Sequence, residues 1–280
     1  RDAATVEDIN CNHRNSRYLG EAPLNPTLLA TLDPVEAITD ADAVIMGIPS
    51  NNFRSVLSDI APHLPQGAPL ISLTKGLERG SRLRMTEICR EIAPGRPVGV
   101  LTGPNLAREI VAGQAAAGVL ALDDPGPQVW LQPLLNVGLF RVYTNPDHIG
   151  CELGGVFKNI IAIAVGMGDG LGAGDNTRAA LITRGLAEMT RLGTVLGGRA
   201  ETFAGLAGMG DMIATCTSPQ SRNRHVGIEL AKGHSIDDII ASMHMVAEGV
   251  KSAPTVIELA SEHGIDMPIS TDVFKVVTGA

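Results

Sequence analysis

Between residues 43 and 143, short apolar runs alternate with stretches of helical spacing. Ala43 to Ile48 is continuously apolar and ends at Pro49, the pattern of a buried parallel strand. Phe53, Val56, Leu57, Ile60 and Leu64 then recur at helical spacing across 53–64. The same alternation predicts strands at 69–73, 98–101, 117–122 and near 139–143. It predicts helices at 83–92, 104–112 and near 127–136. Strands separated by helices build βαβ units, so this part is expected to form a doubly wound parallel sheet. After about residue 150 the strand signal ends. Residues 150–168, 176–196, 201–216, 221–232, 235–243, 248–263 and 270–277 all read as helix. An α/β domain over 1–149 is therefore expected to precede an all-α domain over 150–280. The boundary runs directly into a helix, which predicts a close interface with a cleft in it.

Composition narrows the function. The 280 residues carry a net charge of −8, shared equally by the two parts, which argues against a nucleic-acid partner. The longest stretch without a charged side chain, Pro125 to Phe140, holds three prolines and is too short to span a membrane. The four cysteines form no C-x-x-C pair, which makes a reduced, cytosolic protein the default. The seven histidines gather no metal-site pattern. His244 with Glu248 is a lone i, i+4 pair, and no metal is expected.

The candidate chemistry lies at strand ends and helix starts. Lys158 sits in a helix that is apolar all round, where an unpaired ammonium costs several kcal/mol. Burial would lower its pKa into the range useful for proton transfer. The plain alternative is a lysine whose stem packs while its tip reaches water. Asn159 cannot face the same way but could line the same cleft. Lys75 follows a strand, where doubly wound sheets bind ligands; otherwise it is an ordinary loop lysine. Gly103-Pro104-Asn105 repeats that situation after the next strand and opens a helix with free N–H groups. Asp211 follows Gly208-Met209-Gly210, either as a site carboxylate or as a helix cap. Ser221 is a natural N-cap, and Arg222 beside it suits a phosphate, or else a solvated helix start. Together these residues describe an interdomain cleft for a small phosphorylated carbonyl compound beside a nucleotide.

Several long runs then carry a resemblance. Ser72–Leu77 (SLTKGL), Thr102–Ala107 (TGPNLA), Leu153–Ala164 (LGGVFKNIIAIA), Asp169–Met189, Gly208–Asp211 and Gln220–Arg224 (QSRNR) resemble the bacterial NAD(P)-dependent sn-glycerol-3-phosphate dehydrogenases. The likeness extends over essentially the whole chain. It implies a Rossmann-like domain and a helical substrate domain. It also implies reversible hydride transfer between NAD(P)H and dihydroxyacetone phosphate, for glycerophospholipid synthesis. By the resemblance, Lys158 is the acid/base. Lys75, Gly103, Asn105, Asp211, Thr215, Ser221, Arg222 and Asn223 fall on substrate positions. Lys75, Ala107, Arg222, Val246 and Glu248 fall on cofactor positions, and Phe53 on an aromatic near the nicotinamide. Arg1, in place of an acidic residue, would accommodate the 2′-phosphate of NADP, so NADP(H) is expected ahead of NAD(H).

The sequence departs from the family pattern at position 105, which is usually Ser or Thr. Asn105 still offers a donor and an acceptor there. The family's Gly-rich phosphate loop has no counterpart in these residues. It would precede Arg1, so about 30–35 further residues are expected before it, and a terminal helix is expected beyond Ala280. The expected partner is a small phosphorylated substrate, with neither nucleic acid nor a membrane span. A homodimer is compatible with the sequence, which does not fix the oligomeric state. Two other readings compete: a related reductase of hydroxy or keto acids, and a nucleotide-binding protein without catalysis. The phosphate-suited Arg222 argues against the first, and the retained lysines argue against the second.

Overall fold

The computed structural model describes residues 2–243 and 247–279. Three helices open the chain: α1 (Ala3–Asn12), α2 (Ser16–Leu19) and α3 (Pro34–Ile38). Then β1 (Val44–Met46), α4 (Ser50–Ile60), β2 (Leu70–Ser72), α5 (Met85–Ile92), β3 (Val98–Thr102), α6 (Ala107–Val111), β4 (Ala116–Leu122), α7 (Gly126–Leu135) and β5 (Phe140–Thr144) build the α/β layer. The helical part comprises α8 (His148–Gly170), α9 (Asp175–Val195), α10 (Ala200–Ala204), α11 (Asp211–Thr217), α12 (Arg222–Ala231), α13 (Ile236–Ser242), α14 (Glu248–Glu262) and α15 (Pro268–Thr278). The Rossmann-like α/β layer followed by helices is the architecture that the sequence pattern predicts.

The strands lie in the order β1–β2–β3–β4–β5. They run parallel except that β4 returns antiparallel beside β3, with Val100 opposite Ala121. A parallel return needs a crossover of a dozen or more residues, usually a packed helix. The link from β3 to β4 is long enough but carries only the five-residue α6, too short to pack across the sheet, and β4 runs back antiparallel beside β3.

One face of the sheet packs Leu70 and Val98 against Phe53, Leu57, Met85 and Ile88 of α4 and α5. The other packs Ile71, Leu101 and Leu120 against Leu131 of α7. Coverage of β1 is incomplete. Its apolar run predicts burial on both faces, yet Ile45 is 46% exposed while Val44 and Met46 are buried.

Helix α8 is the hub of the helical part, and α9, α11, α12, α14 and α15 all pack on it. By length and composition it could cross a membrane, but 94% of its most apolar stretch is buried inside the protein. Val100, Val119 and Ala121 meet Cys151 of α8 and Ala207, joining the two layers.

The α8–α12 contact is backbone against backbone. A Cβ on Gly227 would lie 2.1 Å from the Ile163 carbonyl oxygen, and one on Gly166 2.0 Å from that of Arg224. Neither obstacle can rotate away. Gly227→Ala should therefore destabilise the fold by about 3 kcal/mol, at the high end for overpacking. Thermal unfolding should show a fall of roughly 6–12 °C. An unchanged Tm would contradict this contact.

The continuous helix expected over 201–216 is broken. Gly205 takes an extended backbone, Leu206–Gly210 forms a π-helical turn, and α11 starts afresh at Asp211. A Cβ on Gly208 would sit 2.1 Å from the Phe203 carbonyl oxygen, so this glycine permits the turn. The restart places Asp211 at the head of a helix facing the α/β layer.

Candidate active site

A cavity of about 780 Å³ opens where the strand ends meet the helical layer. Lys75, Asn105, Ala107, Lys158, Asp211, Thr215, Ser221, Arg222, Asn223 and Glu248, all named from the sequence, line it together. Lys158 is buried, at 5% exposure, which rules out a lysine tip in bulk water. Its Nζ donates to Asp211 Oδ1, and to Thr215 Oγ1 at 2.8 Å. The Thr215 hydroxyl donates to the Asp211 carbonyl at 2.7 Å, which leaves its oxygen free to accept from the lysine.

Lys75 approaches the same carboxylate from the other layer. Its Nζ donates to Asp211 Oδ2 at 2.7 Å, and to Gly103 O and Asn105 Oδ1 at 3.1 Å each. Its three protons therefore have three protein acceptors. Gly103 supports the site without lining the cavity. Its φ of +108 suits glycine, and that backbone presents the carbonyl to Lys75.

One buried carboxylate thus serves two lysines, and the electrostatics follow. Burial, then the charge of Lys75, lowers the Lys158 pKa from 10.5 to about 7, with Asp211 opposing. Burial alone would raise the Asp211 carboxyl. Lys75 and then Lys158 outweigh it and hold Asp211 below its ordinary value. Asp211 stays an anion while Lys158 can give up a proton near neutrality.

A chain of amides ties the elements together. Asn159 Nδ2 donates to the Lys75 carbonyl at 3.2 Å, and Asn223 Nδ2 donates to Asn159 Oδ1 at 2.9 Å. The Gly249 N–H donates to Asn223 Oδ1 at 3.0 Å. Ser221 caps α12 by accepting from the Arg224 N–H at 3.2 Å, which presents Arg222 to the cavity in the first helical turn. Burial lowers the Arg222 pKa, with Glu248 opposing. Ser50 Oγ donates to Glu248 Oε2 at 2.8 Å, linking the head of α4 to that of α14.

Phe53 does not line the cavity. It is fully buried in the core beneath β1, because its place on α4 turns it inward beside Leu57. Arg1 and Val246, expected at the cofactor, lie outside the described residues, as does His244. Tyr18, which carries no signal in the sequence pattern, also lines the cavity. It sits on the four-residue α2, too short to show a period, with the Arg17 guanidinium 5.5 Å over its ring. Gly47, Ile48, Pro49, Leu73 and Thr74 complete the wall at the carboxyl ends of β1 and β2.

Fold and site together define a protein with a Rossmann-like layer followed by a helical layer. The cleft between them gathers several cations, including the buried Lys158, and suits a small anionic compound. A family model described as the NAD-dependent glycerol-3-phosphate dehydrogenase N-terminus matches residues 1–126, and one described as the C-terminus matches 147–280. The chain belongs to this family.

Among its relatives is glycerol-3-phosphate dehydrogenase [NAD(P)+] 2 of Sphingopyxis alaskensis, 66% identical over 100% of this chain and 84% of that protein. Another is glycerol-3-phosphate dehydrogenase [NAD(P)+] 1 of Mycobacterium tuberculosis, 54% identical over 99% of this chain and 82% of that protein. The crystal structure of glycerol-3-phosphate dehydrogenase from Coxiella burnetii superposes with a TM-score of 0.94 at 38% identity. It covers 99% of this chain and 85% of that one.

Proposed function

We propose that this protein reversibly reduces dihydroxyacetone phosphate to sn-glycerol 3-phosphate with NAD(P)H, and that Lys158 is the acid/base. The observation that carries this reading is the Lys158–Asp211–Lys75 cluster within a cavity that Arg222 also lines. The chain's family and the activity for which its relatives are named support it.

The donor set suits a nicotinamide nucleotide. Tyr18 offers an aromatic face, the backbone at Gly47–Pro49 lies beyond a parallel strand end, and the Glu248 carboxylate can accept from hydroxyl or amide donors. When bound, the cofactor supplies or accepts the hydride. Lys75, Ala107, Arg222 and Glu248 would hold it. The other roles belong to the chain's own side chains. Arg222, aided by Ser221 and Asn223, grips the substrate phosphate. Asn105, through the Nδ2 that Lys75 does not engage, and the charge of Lys75 orient the three-carbon backbone. Lys158 donates a proton to the carbonyl oxygen in reduction and takes it back in oxidation, while its charge favours the developing alkoxide. A reducing, cytoplasmic setting suits the four unpaired cysteines.

Absorbance of the reduced cofactor tests the activity. Oxidation of NADPH or NADH should require dihydroxyacetone phosphate and fail with the unphosphorylated ketone. Equal turnover of the two would overturn the phosphate reading.

The pH dependence carries a sign. Reduction needs Lys158 protonated, so kcat in that direction should fall as pH rises through about 7. Oxidation needs it neutral, so kcat should rise over the same interval. Limbs of the same sign in both directions would contradict the role of Lys158.

A further inference from the structure

Glu152 is a fully buried carboxylate on α8 with no part in the chemistry above. It accepts from the Thr86 N–H at 3.0 Å, from the Thr86 hydroxyl at 2.6 Å and from Arg84 Nη1 at 3.1 Å. Thr86 lies in the first turn of α5, whose N–H groups have no intrahelical acceptor. A side chain of the helical layer therefore caps a helix of the α/β layer.

We propose that Glu152 is a positioning residue for the catalytic lysine, setting the register of α8 against the strand ends that carry Lys75. The proposal rests on the reading of Lys158 as the acid/base.

Most of α8 is held by apolar contacts, which are non-directional and fix its depth better than its axial position. Among the described residues, three of its side chains make polar ties to the α/β layer. His148 reaches Arg90, which is itself partly exposed and shared with Asp123. Asn159 reaches only the Lys75 carbonyl. Among the described residues Glu152 makes three such bonds, all to one helix start, and the two from Thr86 are fully buried. Lys158 lies six residues further along the same helix, about 9 Å away. There is little slack at the site. A Cβ on Gly155 would lie 3.1 Å from Lys75 Cγ and 3.3 Å from Thr102 Oγ1. A slide of α8 would therefore change the separation of the two lysines across Asp211, and misplacement by about 1 Å can cost 10²-fold in rate.

Glu152→Gln keeps the shape but places an amide NH₂ where donors already point. The test is single-turnover hydride transfer with reduced cofactor and dihydroxyacetone phosphate, followed by cofactor absorbance, with Tm recorded in parallel. Positioning predicts that the rate constant falls about tenfold or more, with full amplitude and a substrate KM within about twofold of wild type. A merely structural role predicts a lower Tm and a reduced amplitude with an unchanged rate constant, which would overturn the proposal. Should Glu152→Gln not accumulate folded, Thr86→Val decides on the same readouts, since it removes one of the three donors and keeps the volume. Lys158→Ala run alongside separates the two ideas. If it turns over normally, the acid/base reading fails. If it is inactive while Glu152→Gln and Thr86→Val keep the wild-type rate constant, only the positioning role fails.

Discussion

Lys158→Ala should lower kcat for dihydroxyacetone phosphate reduction by about 10³-fold or more, within the range spanned by general-acid and electrostatic contributions. The loss has two parts. The variant has no proton donor at the carbonyl oxygen and no cation for the developing alkoxide. The fold should survive, because the change removes a charge whose burial is costly and leaves Asp211 paired with Lys75. The cofactor Kd should stay within about twofold, since Lys75, Ala107, Arg222 and Glu248 remain. Steady-state kinetics beside a thermal melt and a cofactor titration check all three expectations. A comparable loss of cofactor binding would indicate a structural rather than a chemical defect.

Asp211→Asn should be nearly as damaging, by a different route. The carboxylate lies between two ammonium groups, at 2% exposure. Replacing it with an amide leaves two cations facing each other with nothing to balance them. The weaker proton holder is Lys158, which burial and the charge of Lys75 already push down. Its pKa should fall further, so at neutral pH the variant holds a neutral amine in place of the acid. We expect kcat for reduction to drop by about 10²–10³-fold, with its falling limb moved to lower pH. Oxidation should lose less, because a neutral amine is the form that it needs. The kcat–pH profile in both directions checks this. An unshifted limb would mean that Asp211 does not set the Lys158 proton affinity.

Much of this site could be read from the sequence because its residues break local rules. A lysine within an apolar helix is conspicuous, and so are an arginine after an N-cap serine and a lysine just past a strand. Lys158 and Arg222 belong to helices long enough to reveal their period, and Lys75 directly follows a continuous apolar run. Tyr18 does neither, because α2 is a single turn with no buried residue. Phe53 is the reverse case. The family likeness set it near the nicotinamide, whereas its helical spacing with Leu57 and Ile60 matches the core position it takes on α4.

The antiparallel β3–β4 pair was hidden because an apolar run does not encode strand direction. Direction depends on the length and packing of the connection. The break before Asp211 was signalled by three glycines, yet a glycine in a helical pattern is compatible with either a close contact or a stop. Helix α1 leaves no period in the sequence because none of its residues is buried.

Restoring the missing proton donor in Lys158→Ala tests the central claim most directly. Removing the side chain opens space where the ammonium stood, and a small primary amine can enter it. Turnover of the folded variant should rise with amine concentration, saturate, and track the fraction of amine that is protonated in the reduction direction. Wild-type turnover by Lys158→Ala without any amine would contradict the assignment of Lys158 as the acid.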